Sequence, residues 1–253
     1  MFKLKFRIDK QYLIAHSIKR LWRFCESPFP EWSKLSYDLN KKYPAGIDFL
    51  SDPSLSFLGK TLSKNEKQAK KIISEILKTK QFQRLYKETN VYLKMVKKQW
   101  DQNKKIAVDT IKNLSGLEMP LQEIKVFITH PKTGNGMAIP YYDAIMWGHS
   151  EDLPNYSTIY ICHELMHLLT QGAKNQDIMH VLIEFMTDKK LREIVNNEKL
   201  EYIERVAPNM PPHIKNKINL SRKILPYWEE YLTKKKPKNI FELEKYIIKK
   251  IAE

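Results

Sequence analysis

Residues 157–171, STIYICHELMHLLTQ, constrain the chain more than any other stretch, because one pattern there serves both a helix and a cation. Ile159, Leu165, Leu168 and Leu169 recur at helical spacing, Pro154 or Asn155 supplies a start and Gly172 a stop. Within this predicted helix, His163-Glu164-Leu165-Met166-His167 sets two imidazoles at i and i+4, one above the other on one face. Both can reach one tetrahedral cation at about 2.0–2.1 Å. Glu164, one step along, is free to face a metal-bound water and take its proton. With 7 His and 19 Glu in 253 residues, composition alone yields about 0.015 chance matches to this pattern. The apolar flanks strengthen the reading, since a fortuitous match falls more often on a wet surface helix.

A catalytic zinc site needs a third protein ligand and one open position. The metzincin continuation is excluded: Thr170 stands where Gly is required, and no His lies three residues further on. Glu184 comes 17 residues after His167, and Asp188 follows it by four, which puts two carboxylates on one helical face. Glu184 can bind a metal as a hard anionic oxygen. Asp188 can accept the free N–H of a ligating imidazole, His163 in the first instance, and so hold its tautomer and orientation. His180, one turn before Glu184, and Asp177 are rivals for the third position. The Asp at i+4 favours Glu184, and geometry alone does not exclude His180.

HELMH followed by EFMTD resembles the HExxH and ExxxD pair of the gluzincins, the thermolysin-like clan of zinc metallopeptidases. The resemblance covers about residues 120–190. It implies a zinc cofactor, Glu184 as third ligand and Asp188 behind a ligating histidine. It also implies hydrolysis of a peptide or protein substrate by a metal-activated water, with Glu164 as the base. The implied fold is zincin-like, with a small mixed β-sheet packed over the HExxH helix and an edge strand pairing with extended substrate. The clan draws an oxyanion stabiliser from its C-terminal part, where His213, Tyr227 and Tyr231 are available; His149 and Tyr142 lie upstream. A histidine as third ligand would instead resemble the Spartan-type proteases that act on DNA–protein crosslinks, although their glycine-histidine context is missing around His180. An inactive zincin fold used as a binding module is a third reading, against which the intact Glu164 argues.

The remainder of the chain reads as α+β and mostly helical. Seven glycines disfavour many-turned β folds, and neither GxGxxG nor a Walker A pattern is present. FKLKFRI alternates as a strand, with Asp9 placed to cap a following helix through Tyr12, Leu13 and Ile18. Residues 26–62, broken by Pro28, Pro30, Pro44 and Pro53, read as irregular, yet aromatics such as Phe29, Trp32, Tyr37, Tyr43 and Phe57 suggest that they pack down. Ser63 with Glu66 forms a capping box, and helices are expected to about residue 78 and over about 80–113. Strands follow over 124–130 and in the segment after Gly136, with a break at Pro140. Helices are then expected over about 176–195, with Glu201 to Val206 extending or following it, and over 213–234 and 239–252. The expected organisation is a mainly helical region 1–115 and a zincin-like catalytic region 116–253, or one continuous domain.

No apolar core follows the basic N-terminus and no run of 18 apolar residues occurs, so neither a secretory signal nor a transmembrane segment is expected. Cys25 and Cys162 do not make a disulfide framework, and Cys162 points about 100° away from His163, into the core. These features favour a cytoplasmic protein. The formal net charge of +15 raises a nucleic-acid partner. Only 7 of the 44 basic residues are Arg, the type that specific phosphate and base contacts prefer, so a solvated lysine surface is the better account.

Overall fold

The computed structural model describes residues 2–23, 30–51, 64–202, 210–234 and 237–252. Cys25, Phe29, Phe57, the capping residue Ser63 and Val206 lie outside them. Two units alternate along the chain: Leu4–Lys98 joins Ile124–Ser150, while Met1–Lys3, Gln99–Glu123 and Glu151–Glu253 form the other. The sequence reading cuts the chain once, near residue 115; each of these units is assembled from separate stretches.

The first unit holds the sheet. Strand β1 (Lys3–Arg7) leads to helix α1 (Lys10–Arg23), whose first turn is capped where Asp9 Oδ1 accepts the Tyr12 N–H at 2.9 Å. The stretch read as irregular because of its prolines forms two helices in its described part, α2 (Pro30–Lys42) and α3 (Pro44–Ser51). Pro30 and Pro44 open these helices instead of breaking them. At the first helical position the missing N–H has no intrahelical partner to lose and the fixed φ is already helical. Helices α4 (Lys64–Leu77) and α5 (Lys80–Ser115) follow. Leu13, Ile14, Ile18, Trp32, Leu50, Ile72 and Ile76 are almost wholly buried in one cluster. Each aliphatic side chain among them contributes about 1.5–3 kcal/mol relative to exposure. Tyr43 packs at the edge of the cluster and donates its hydroxyl to Glu75 at 2.7 Å, whereas Tyr37 is exposed.

Strands β2 (Glu123–Ile128), β3 (Asn135–Ile139) and β4 (Ala144–Gly148) complete a mixed sheet of order β1-β2-β4-β3. β4 runs parallel to β2 and antiparallel to β3, with Met137 opposite Met146. β4 is buried along its whole length, and β1 and β3 are the two edges. Pro140 ends β3 and opens a 3₁₀ turn, Pro140–Tyr142, that Asp143 closes at φ 45°. The fold is therefore α+β, mostly helical, with one small mixed sheet.

The second unit carries α6 (Tyr156–Leu169), α7 (Gln176–Glu184), a π-helical segment (Phe185–Leu191) and α8 (Arg192–Asn196), then α9 (Pro212–Lys234) and α10 (Ile240–Ala252). The helix expected over 176–195 thus exists, widened in its middle by i→i+5 turns. Ile159, Leu165, Leu182, Phe185, Trp228 and Leu243 are buried in this unit. The start of α7 is held twice. The Asn175 side chain accepts the N–H groups of Asp177 and Ile178 at 3.1 and 3.0 Å, and its own N–H donates to the buried Glu244 of α10. At the end of α5, Gly116 has φ +66°, and a Cβ there would meet the Lys238 carbonyl oxygen at 2.5 Å. Glycine is required for both reasons. Among the described residues no helix is long and apolar enough to cross a membrane.

Candidate metal centre

Helix α6 is buried nearly all round. Its partly exposed positions include Tyr156, Tyr160, Glu164 and His167, at i, i+4, i+8 and i+11, which is one stripe of a helix. His163 borders that stripe and is itself buried. Cys162 faces the other way, fully buried, and burial alone pushes its thiol pKa far up, so it serves as a small core residue.

Three imidazoles meet at this border. His167 Nε2 lies 3.1 Å from His163 Nε2 and 3.1 Å from His180 Nδ1, the last on α7. The three nitrogens all fall within 4.8 Å of one another and form, among the described residues, the group able to hold a metal ion. Ligand atoms about 2.0–2.1 Å from a tetrahedral zinc are separated by about 3.3–3.4 Å, and the two spacings to His167 Nε2, 3.1 Å each, are near that value.

The outer nitrogens are partnered in a way that fixes the rings. Asp188, in the π-helical segment, brings Oδ1 to 2.9 Å from His163 Nδ1. Thr187 steadies that carboxylate, with its Oγ1 2.8 Å from Asp188 Oδ1 and 2.8 Å from the Ile183 carbonyl. Glu184 Oε1 lies 3.3 Å from His180 Nε2 and also pairs with Lys217 of α9. With Nδ1–H donating on His163 and Nε2–H donating on His180, the remaining nitrogen of each ring presents a lone pair to the cluster.

The electrostatics suit a cation. Burial, and then the neighbouring His163 and His180, push the His167 pKa down to about 4, so the ring is neutral and able to ligate at neutral pH. Burial opposes protonation of His163 as well. Asp188, Glu164 and Glu184 outweigh it and hold that pKa above the ordinary imidazole value. The field that retains a proton on His163 favours a positive charge at the same place. Glu184 is likewise opposed by burial, yet its contacts with His180 and Lys217 keep its pKa below the usual carboxylate range.

Glu184, expected from the sequence as the third ligand, does not place its carboxylate among the three converging nitrogens. His180, treated as a rival, supplies the third converging nitrogen. The two nitrogens of an imidazole point to opposite sides of the ring, so Glu184, at Nε2, stands behind His180 and not in the cluster. Asp177 is exposed in the first turn of α7. Of the residues considered for an oxyanion, His213 is exposed at the start of α9, Tyr227 packs edge-on against Tyr246, and Tyr231 donates its hydroxyl to the Leu114 carbonyl at 2.7 Å. Tyr142 and His149 belong to the sheet unit. Two residues near the cluster escape sequence reasoning. Tyr160, three residues before His163, has its ring 6.1 Å from that imidazole, and burial with Asp188 raises its hydroxyl pKa, so it stays a neutral donor. The i−3 spacing was the available signal. Lys217 had none, being one lysine among 37. No protein-family model, curated protein or solved structure matches the chain.

Proposed function

We propose that the chain is a zinc-dependent metallopeptidase in which His163, His167 and His180 hold the ion and Glu164 is the general base. The observation that carries this reading is the convergence of three imidazole nitrogens, all within 4.8 Å of one another, on an HExxH helix and its neighbour. Imidazole nitrogens suit zinc, and three of them leave a fourth position open. Bound there, zinc would polarise a peptide carbonyl and lower the pKa of a water. Glu164, on the partly exposed stripe of α6, accepts the proton of the attacking water and passes it to the leaving amine. Asp188 keeps His163 oriented. Tyr160, half-buried beside His163, is the neutral donor we assign to the developing oxyanion in place of His213, Tyr227 or Tyr231.

The zincin-like fold belongs to the same reading and draws support from the mixed sheet and the helical HExxH. The gluzincin resemblance rests on the HExxH and ExxxD residues themselves, and as a ligand set it would need Glu184 to turn from His180 Nε2 toward the cluster. The peptide substrate and a cytoplasmic location are parts of the proposal that rest on the sequence.

Purified protein is expected to carry about one zinc per chain, and the His163→Ala/His167→Ala double variant none. Stoichiometric zinc on that variant, measured by atomic emission, would overturn the assignment. A DNA-associated metalloprotease is a second reading, favoured by the third imidazole and the +15 charge. Proteolysis stimulated by DNA at low salt and lost at high salt separates it from the first.

A further inference from the structure

The site's support extends to a third helix, and this rests on the metal reading above. We infer that Lys217 of α9 is a positioning residue for the third ligand, acting through Glu184. One carboxylate oxygen, Glu184 Oε1, serves both neighbours: it faces His180 Nε2 at 3.3 Å and pairs with the Lys217 ammonium. Glu184 is the last residue of α7, and His180 lies one turn before it on the same face. The carboxylate therefore has two destinations. It can stay behind the ring and accept the Nε2–H, or it can turn away and leave the imidazole free to rotate. Lys217, reaching from α9, anchors the oxygen on the Nε2 side and so keeps Nδ1 turned toward His167.

The support behind His163 joins neighbouring elements of the chain: Asp188 stands on the segment that continues α7, and His163 stands on α6. Lys217 ties the ligand arrangement to the helix made by residues 212–234. Its side chain is 44% exposed and that of Glu184 is 21% exposed, so the pair adds little to stability, and its value lies in direction.

The experiment is a double-variant cycle read by zinc affinity, using competition with a chromophoric chelator on the full chain. Lys217→Met is expected to weaken zinc binding about 10–100-fold, the usual cost of losing support behind a ligand. Lys217→Arg, which keeps a cation, should bind nearly as wild type does. In a Glu184→Gln background the Lys217→Met loss should disappear, because the lysine acts only through the carboxylate. Lys217→Gln gives a second neutral variant should the methionine disturb folding, with circular dichroism checking both. Unchanged or tighter zinc binding in Lys217→Met, or an equal loss in the Glu184→Gln background, would overturn the inference while leaving the metal site standing. A wild-type protein without zinc affinity would sink the metal reading itself, and this inference with it.

Discussion

His180→Ala is expected to abolish measurable zinc binding, whereas Glu184→Ala is expected to weaken it by about 10–100-fold. The two residues lie four apart on one helix and both contribute to the site, yet they should fail differently. His180 offers Nδ1 to the point where His163 and His167 converge, so its removal leaves two imidazoles and solvent. Glu184 touches the far nitrogen of the same ring, at 3.3 Å, and its removal frees the imidazole to rotate while every ligand atom remains. Asp188→Ala should resemble Glu184→Ala, since it stands behind His163 in the same way. Chelator competition across the three variants reads the order directly. Collapse in Glu184→Ala with near-wild-type affinity in His180→Ala would restore the carboxylate as third ligand and the gluzincin pattern with it.

Glu164→Gln is expected to keep the zinc and lose about 10²–10⁴-fold in kcat/KM for a peptide substrate. The amide matches the carboxylate in shape, so neither α6 nor the two histidines flanking it should move. It cannot take a proton from water at neutral pH. Glu164 sits on the partly exposed stripe with His167, one residue from the buried His163, where a water and a substrate carbonyl can approach. Zinc content and turnover should be measured on the same preparation. Wild-type turnover in a zinc-loaded Glu164→Gln protein would remove it as the base.

Elements whose order depends on neighbours along the chain are legible in the residues alone. The strand at the N-terminus, the Asp9 cap, the break at Pro140 and the HExxH helix all follow from period and capping chemistry within a few residues. The one clear failure, residues 30–51, comes from reading Pro30 and Pro44 as breakers. A proline is compatible with the first position of a helix and disruptive in its middle, and the letter alone does not say which applies.

At the site the same division holds. The sequence by itself determined that His163 and His167 share a helical face, with Glu164 beside them, because spacing on one helix is a local matter. It also brought His180, Glu184 and Asp188 onto one later stretch. Which of the three meets the metal could not be decided there, because an α-helical reading puts all of them on one face. Only the tertiary structure separates them: it turns His180 Nδ1 toward His167 and leaves the two carboxylates at the far nitrogens of the rings. The i→i+5 turns over Phe185–Leu191 carry Asp188 to His163, and Lys217, 33 residues beyond Glu184, holds that carboxylate behind His180. Ligand choice depends on where two rings and two carboxylates stand in space to within an ångström or so, and that is set by the packing of α6, α7 and α9 rather than by the order of residues along any one of them.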